Sequence, residues 1–313
     1  MKRILLVISA ILVLLLSAIY LLIPGRISLS QSQNLPINRQ ALYRNLADEK
    51  KWLLWWPGVK KEDGAVQSFL LNGFQYKLHD VKVLSLPIDI SGKNVSVPAE
   101  LIIIAINPDS VNVQLNGSIA TSYNPITRVK AFFTARKIKK DITTVLQSIG
   151  TYYAEIKKQY GYDIQNKSVV DSILMMNFRE MNGPPATNDI YALVDELKNY
   201  IKQQGAAETG NPMLNIFTKD SIHYLLKVAI PVDKKLPPSG NMSYRWMLGG
   251  GNILITEVTG GQKEIEKAYK QILLFISDYN RVAPAIPFES LVTDRRKEPD
   301  SSKWVTRIYY PVM

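Results

Sequence analysis

PAIPFESLVTDRRKEPDSSKWVTRIYYPVM, residues 284–313, reads as two β-strands around a charged turn. Residues 285–292 form the first expected strand, 294–302 the turn and 304–312 the second strand. Side chains alternate along a strand, so Ile286, Phe288 and Ser290 share one face while Pro287, Glu289 and Leu291 share the other. Glu289 is therefore a carboxylate in a mostly apolar strand, which is costly unless it is paired, solvated or used. The second strand is dense in aromatics, with Trp304, Tyr309 and Tyr310.

The same layout occurs earlier in the chain. PMLNIFTKD (212–220) followed by YLLKVAIPVD (224–233) parallels the closing segment. Aligning Asp220 with Asp294 puts Asn215 opposite Glu289, and Pro231-Val232 opposite Pro311-Val312. The helices before them correspond too, 187–204 with 262–279. A strand precedes each helix, at 172–180 and at 243–258, the latter interrupted by Gly249-Gly250-Gly251. Residues from about 165 to 313 are thus a duplicated strand-helix-strand-strand unit, and an internal repeat is a strong organisational signal.

With its duplicated unit, its PAIPFESLVTD strand and its closing WVTRIYYPV strand, this region resembles the GyrI-like (gyrase-inhibitor-like) effector-binding domain, also found at the C-terminus of many AraC- and MerR-type regulators. The resemblance implies a cleft between the repeats, holding a glutamate of the second repeat's third strand and lined by aromatics, with hydrophobic cations as frequent ligands. By position that glutamate is Glu289. Trp246, Phe288, Trp304 and Tyr309 are the candidate walls, with Tyr224 and Tyr191 as first-repeat counterparts. Some relatives are hydrolases using this glutamate with a tyrosine, so Glu289 also carries an enzyme hypothesis. Two departures stand out. No helix-turn-helix precedes the repeat, and Ser290 and Leu291 follow Glu289 where relatives often have an aromatic.

At the other end, residues 4–23 are uncharged and apolar, long enough to cross a bilayer as a helix. Lys2 and Arg3 precede them, which keeps the N-terminus cytoplasmic and sends the remainder outward. The run is longer than a signal-peptide core, and 21–25 lacks a small-x-small cleavage pattern, so an uncleaved anchor is expected. The expected location is the inner membrane, single-pass, with the globular part on the periplasmic side.

The absence of cysteine excludes disulfides, thiolate metal sites and a cysteine nucleophile. Two histidines far apart, His79 and His223, do not suggest a metal cluster, and neither a metal nor an organic cofactor is expected. Residues 1–160 carry 20 Lys and Arg against 10 Asp and Glu, while 161–313 are nearly balanced. The densest run is RVKAFFTARKIKK, 128–140, read as a strand (127–134) entering a helix (135–160). Such a run is a solvated face or one drawn to anionic lipid. No nucleic-acid-binding motif is present, and no nucleic-acid partner is expected.

Residues 27–160 read as strand (27–33), helix (38–50, with Asn38 as N-cap), a tryptophan-rich element, strands at 68–71, 74–84, 96–106 and 111–121, and the long closing helix. With KKWLLWWPG (50–58) near its start, this order resembles the helix-grip fold of START and polyketide-cyclase-like (SRPBCC) families, which implies an apolar cavity under the long helix. His79 with Asp80 is too little to argue catalysis.

The expected architecture is α+β: a membrane anchor (1–26), a helix-grip domain (27–160) and a GyrI-like domain (161–313). The expected function is membrane-anchored capture of a small apolar or cationic molecule in the GyrI-like cleft, with a second cavity in the helix-grip domain. The alternatives are a hydrolase with Glu289 as general base and Tyr309 or another tyrosine polarising the leaving atom, and a ligand-free interaction module acting through its basic surface.

Overall fold

The structure, a computed structural model, describes residues 2–63, 66–79, 81–82, 85–93, 95–170, 172–220, 222–247 and 249–313. The chain is mixed α+β, with two curled antiparallel sheets and an N-terminal apolar helix. It divides into two compact units, Met1–Glu155 and Ile156–Met313.

The first unit runs α1 (Lys2–Leu22), β1 (Arg26–Ser28), β2 (Gln31–Leu35), α2 (Arg39–Leu46), α3 (Trp52–Trp55), β3 (Val59–Asp63), β4 (Val66–Leu71), β5 (Phe74–Leu78), β6 (Ser85–Gly92), β7 (Val95–Asn107), β8 (Ser110–Ala120) and α4 (Pro125–Tyr153). The sheet order is β1-β8-β7-β6-β5-β4-β3, with β2 also on β8. The expected first strand is thus split in two at Leu29-Ser30. Asn38 caps α2, its side chain accepting from the Gln40 and Ala41 amides. Asp80, Val83 and Leu84, part of the expected strand 74–84, lie outside the described residues. His79 instead contacts Asp89, Nε2 to Oδ2 2.6 Å, at the surface.

The tryptophans fill the core. Trp52, Trp55 and Trp56 are all buried, and Trp52 stacks on Trp56 with ring centres 5.7 Å apart. Trp52 also meets Phe69 at 5.3 Å and donates its indole N–H to the Leu46 carbonyl at 2.9 Å. Helix α4 packs on β2, β8 and β1, burying Ile138, Ile142, Val145 and Ile149.

The expected strand 127–134 is helical, because α4 begins at Pro125. Asn124 is its N-cap and accepts from the Ile126 amide at 2.9 Å. Pro125 sits where its missing N–H costs nothing. The Val129, Phe132 and Phe133 content resembles a strand, but the Asn-Pro cap decides the conformation.

The second unit runs α5 (Ile156–Tyr160), β9 (Gln165–Ser168), β10 (Ser172–Asn182), α6 (Thr187–Gln203), β11 (Met213–Thr218), β12 (His223–Val232), β13 (Ser243–Met247), β14 (Asn252–Thr259), α7 (Gln262–Asp278), β15 (Phe288–Leu291) and β16 (Val305–Val312). Helix α5 belongs here through Tyr160, whose hydroxyl donates to Asp278 Oδ2 at 2.7 Å.

The sheet order β13-β10-β12-β11-β15-β16-β14-β9 displays the duplication. Each repeat contributes three adjacent strands, β10-β12-β11 and β15-β16-β14, joined at β11–β15. The stretch expected as one strand, 243–258, is two strands at opposite ends of the sheet. Gly250, at φ +83°, lies in the break between them. The strand that leads into each repeat pairs with the other: β9 lies on β14, and β13 on β10.

The register also corrects the alignment of the repeats. Leu214 faces Glu289 directly, and both pair on their outer sides with fully buried residues, Val228 and Ile308. A two-fold exchange of the repeats that keeps every side chain on its own face therefore carries Leu214, not Asn215, onto Glu289. Matching Asp220 with Asp294 is one residue out because these aspartates lie in hairpin loops of different length, and a one-residue slip reverses every face.

Candidate functional site

Helices α6 and α7 cover one face of the second sheet, burying Ile190, Val194 and Leu197 from the first repeat and Ile265, Ala268 and Ile272 from the second. A glycine with positive φ precedes each helix: Gly183 at +123° and Gly260 at +136°. At Gly260 a Cβ would come within 2.8 Å of Glu264 Cγ. These turns start both helices beside the sheet's centre, and a cleft of about 880 Å³ opens there.

The cleft floor is Leu214, Ile216 and Glu289. Its walls include Pro184 to Thr187 and Ile190 from the start of α6, and Gln262, Glu266 and Tyr269 from α7. Tyr224, Pro287, Arg295 and Trp304 complete the part that carries chemistry. Among the described residues lining it, two carboxylates, Glu266 and Glu289, face a single cation, Arg295.

Glu289 is held between Leu214 and Ile308 on the two neighbouring strands. Its side chain is 14% exposed and that of Arg295 6%, with Arg295 Nη2 3.4 Å from Glu289 Oε2. This contact is long for a charge-assisted bond. The guanidinium is engaged elsewhere too: Nη2 donates to Thr306 Oγ1 at 3.1 Å, and the group lies 5.0 Å from the centre of the Trp304 ring. Burial pushes the Glu289 carboxyl above its ordinary range, and Arg295 pulls it back only in part. Tyr269 is also raised, by burial first and then by the charge of Glu289, which keeps its hydroxyl protonated.

Of the residues expected at the site, Glu289, Tyr224 and Trp304 line the cleft. Phe288 and Tyr309 lie on the opposite face of the sheet, stacked on each other at 4.9 Å with ring planes 5° apart. Trp246 lies on β13, paired with Ile173, and is largely exposed outside the cleft lining. Tyr191 is buried and serves the loop after β15. Its hydroxyl donates to the Thr293 carbonyl at 3.1 Å and accepts from the Arg295 amide at 2.9 Å, while Arg296 covers its ring at 4.5 Å.

Tyr269 and Glu266 were not expected at the site. For Glu266 and Tyr269 a signal existed, since they stand three apart on α7 and so share a helix face. Arg307, on β16, pairs with Glu257 at 2.8 Å. Among the described residues no cluster of His, Asp and Glu could hold a metal ion.

Residues 176–313 match the model of the GyrI-like family, described as a GyrI-like small molecule binding domain. No curated protein matches the chain. Among solved structures it is similar to the C-terminal domain of EcmrR (16% identity, 49% of this chain and 98% of that one, TM-score 0.39). It is similar also to a hydrolase from Listeria innocua (13% identity, 48% and 91%, TM-score 0.37) and to SAV2435 bound to tetraphenylphosphonium (13% identity, 48% and 93%, TM-score 0.32).

Proposed function

We propose that the chain is a membrane-anchored binding protein that captures a small apolar cation in the cleft between the two repeats. The observation that carries this reading is the buried Glu289 carboxylate on the floor of an 880 Å³ cleft, held by one long contact from Arg295. When Glu289 is ionised, it and the exposed Glu266 give the lining more negative than positive charge. A cation entering beside Glu289 supplies the counter-charge that Arg295 provides only in part, and Tyr224 and Tyr269 offer aromatic faces. The match of residues 176–313 to a small-molecule binding family supports ligand capture as the task.

In this reading α1 anchors the chain in the inner membrane, with both units on the periplasmic side. The first unit is a helix-grip domain, its curved sheet wrapped against α4. A test uses two probes of the same shape and opposite charge, tetraphenylphosphonium and tetraphenylborate. The expected result is saturable binding of the cation only. Equal binding of both, or of neither, contradicts the reading.

The second reading, hydrolysis with Glu289 as base, is favoured by the burial that raises its pKa above the ordinary carboxylate range and so makes it a stronger base, with the Tyr269 hydroxyl in the same cleft. The tyrosine available to it is Tyr269, in the cleft, rather than Tyr309 on the far face. Turnover of a small ester or epoxide that is lost in Glu289→Gln while ligand binding persists distinguishes an enzyme from a binder.

A further inference from the structure

The first unit carries exposed apolar groups where α1 joins it. The Tyr20 hydroxyl donates to the Tyr123 carbonyl. Arg128 Nε donates to the Ile23 carbonyl at 2.9 Å, and its guanidinium lies 4.8 Å from the centre of the Tyr20 ring. The last turns of α1 are thereby fixed against the start of α4. If residues 4–23 span the hydrocarbon, Tyr20 lies only about 4.5 Å inside its boundary. Tyr123, bonded to it, then sits at the membrane–water interface, the level at which tyrosine is enriched.

The side chains around that point fit such a position. Tyr123 is 92% exposed, Ile126 65% and Phe133 55%, a cluster of large apolar groups that water does not favour. Beside them is a pocket of about 700 Å³ with apolar walls from Phe74, Val95, Ile119 and Phe133, and with Lys93 and Lys130 among its lining residues. Among the described residues lining it there is no carboxylate. Farther along α4 come Arg136, Lys137, Lys139 and Lys140, before Asp141, the first acid of the helix.

We infer that this corner of the first unit is seated on the bilayer, and that the pocket takes the headgroup of an anionic phospholipid. Tyr123, Ile126 and Phe133 enter the interface, Lys93 and Lys130 meet the phosphate, and the lipid's upper acyl segment lies against the pocket's apolar wall. The inference rests on the anchoring of α1 and is independent of the cleft in the second unit.

The chain has no cysteine, so one introduced thiol can be labelled uniquely. Full-length Phe133→Cys carrying a fluorophore is reconstituted into vesicles containing a headgroup-spin-labelled lipid, made of phosphatidylcholine alone or mixed with phosphatidylglycerol. Leu54→Cys is the control, since Leu54 is exposed beside Trp55, whose carbonyl accepts from Ser148 near the far end of α4, about 22 Å along the helix from Phe133. The expected result is quenching several-fold stronger at 133 than at 54, increased by phosphatidylglycerol, with that increase lost in Lys93→Gln/Lys130→Gln. Equal quenching at both positions, or an increase that survives the double substitution, overturns the inference. Alkaline carbonate extraction of the chain separates the two levels: release overturns the anchor and the inference together, whereas retention with no quenching at 133 overturns the inference alone.

Discussion

Leu214 and Glu289 face each other across the two central strands of the second sheet, and the two-fold exchange of the repeats carries one onto the other. The duplication thus places a hydrophobe and a carboxylate at equivalent positions beside its own axis. On the first repeat's side the side chain completes the apolar floor. On the second it puts a charge into that floor, and the longer loop after β15 folds back to bring Arg295 and Trp304 to it. The site arises from divergence between the repeats at one rung.

The first prediction concerns stability and pH. In the unfolded chain Glu289 ionises near the ordinary glutamate value, about 4.3. In the fold it keeps its proton to higher pH because of burial. Between those two values the native state binds more protons than the unfolded state, so this residue's contribution to stability falls as pH rises. The fall ends once the folded carboxyl is ionised. Glu289→Gln removes this dependence. Thermal unfolding of both proteins across acidic to neutral pH is expected to show the wild type losing ground to the variant as pH rises, and parallel curves contradict the assignment.

The second prediction concerns Tyr191, whose hydroxyl bridges the Thr293 carbonyl and the Arg295 amide. Tyr191→Phe leaves the Arg295 amide without that partner, a loss of about 1–3 kcal/mol in stability. It also loosens the loop that brings Arg295 to Glu289, so cation affinity changes although residue 191 is outside the cleft lining. Urea unfolding and ligand titration of the same variant measure the two effects, and a change in neither contradicts the role.

The third prediction tests the core of the first unit. Trp52 is 2% exposed and packs against Trp55, Trp56 and Phe69. Trp52→Ala is expected to cost about 3–5 kcal/mol, the range for deleting a large buried aromatic. Denaturant unfolding of the full chain in detergent reads this directly, and a cost below about 1 kcal/mol would mean that the cluster does not form.

Much of this was legible before the fold. The duplicated unit, both long helices of the second unit and the exposure of Glu289 to an apolar strand follow from spacing alone. So does the placement of Phe288 on the other face from Glu289, since neighbours in a strand point oppositely; naming Phe288 as a wall overlooked that parity. The alignment of Asn215 with Glu289 failed for a related reason, being anchored in loops whose lengths differ. The exchange of β9 and β13 between the repeats was hidden because strand pairing is set by long-range contacts that a local pattern does not contain. The geometry of Arg295 was hidden in part, since Tyr191, from the first repeat, holds its amide, while Trp304 and Thr306, later in the same closing segment, hold its guanidinium. The start of α4 was legible in Asn124-Pro125 and was masked by the β-like content of the residues after it.

The most direct test of the central claim is the pH dependence of tetraphenylphosphonium binding to the full chain in detergent, measured beside Glu289→Gln. A cation favours the ionised carboxylate, so affinity is predicted to rise with pH through the raised Glu289 pKa and then level off, with protons released on binding at the lower end. Ligand at 100 times its dissociation constant is expected to stabilise the wild type by about 2.7 kcal/mol. The Gln variant is predicted to bind weakly and with no pH dependence. Binding of equal strength in both proteins, or in neither, would contradict the account of Glu289 as the centre of a cation site.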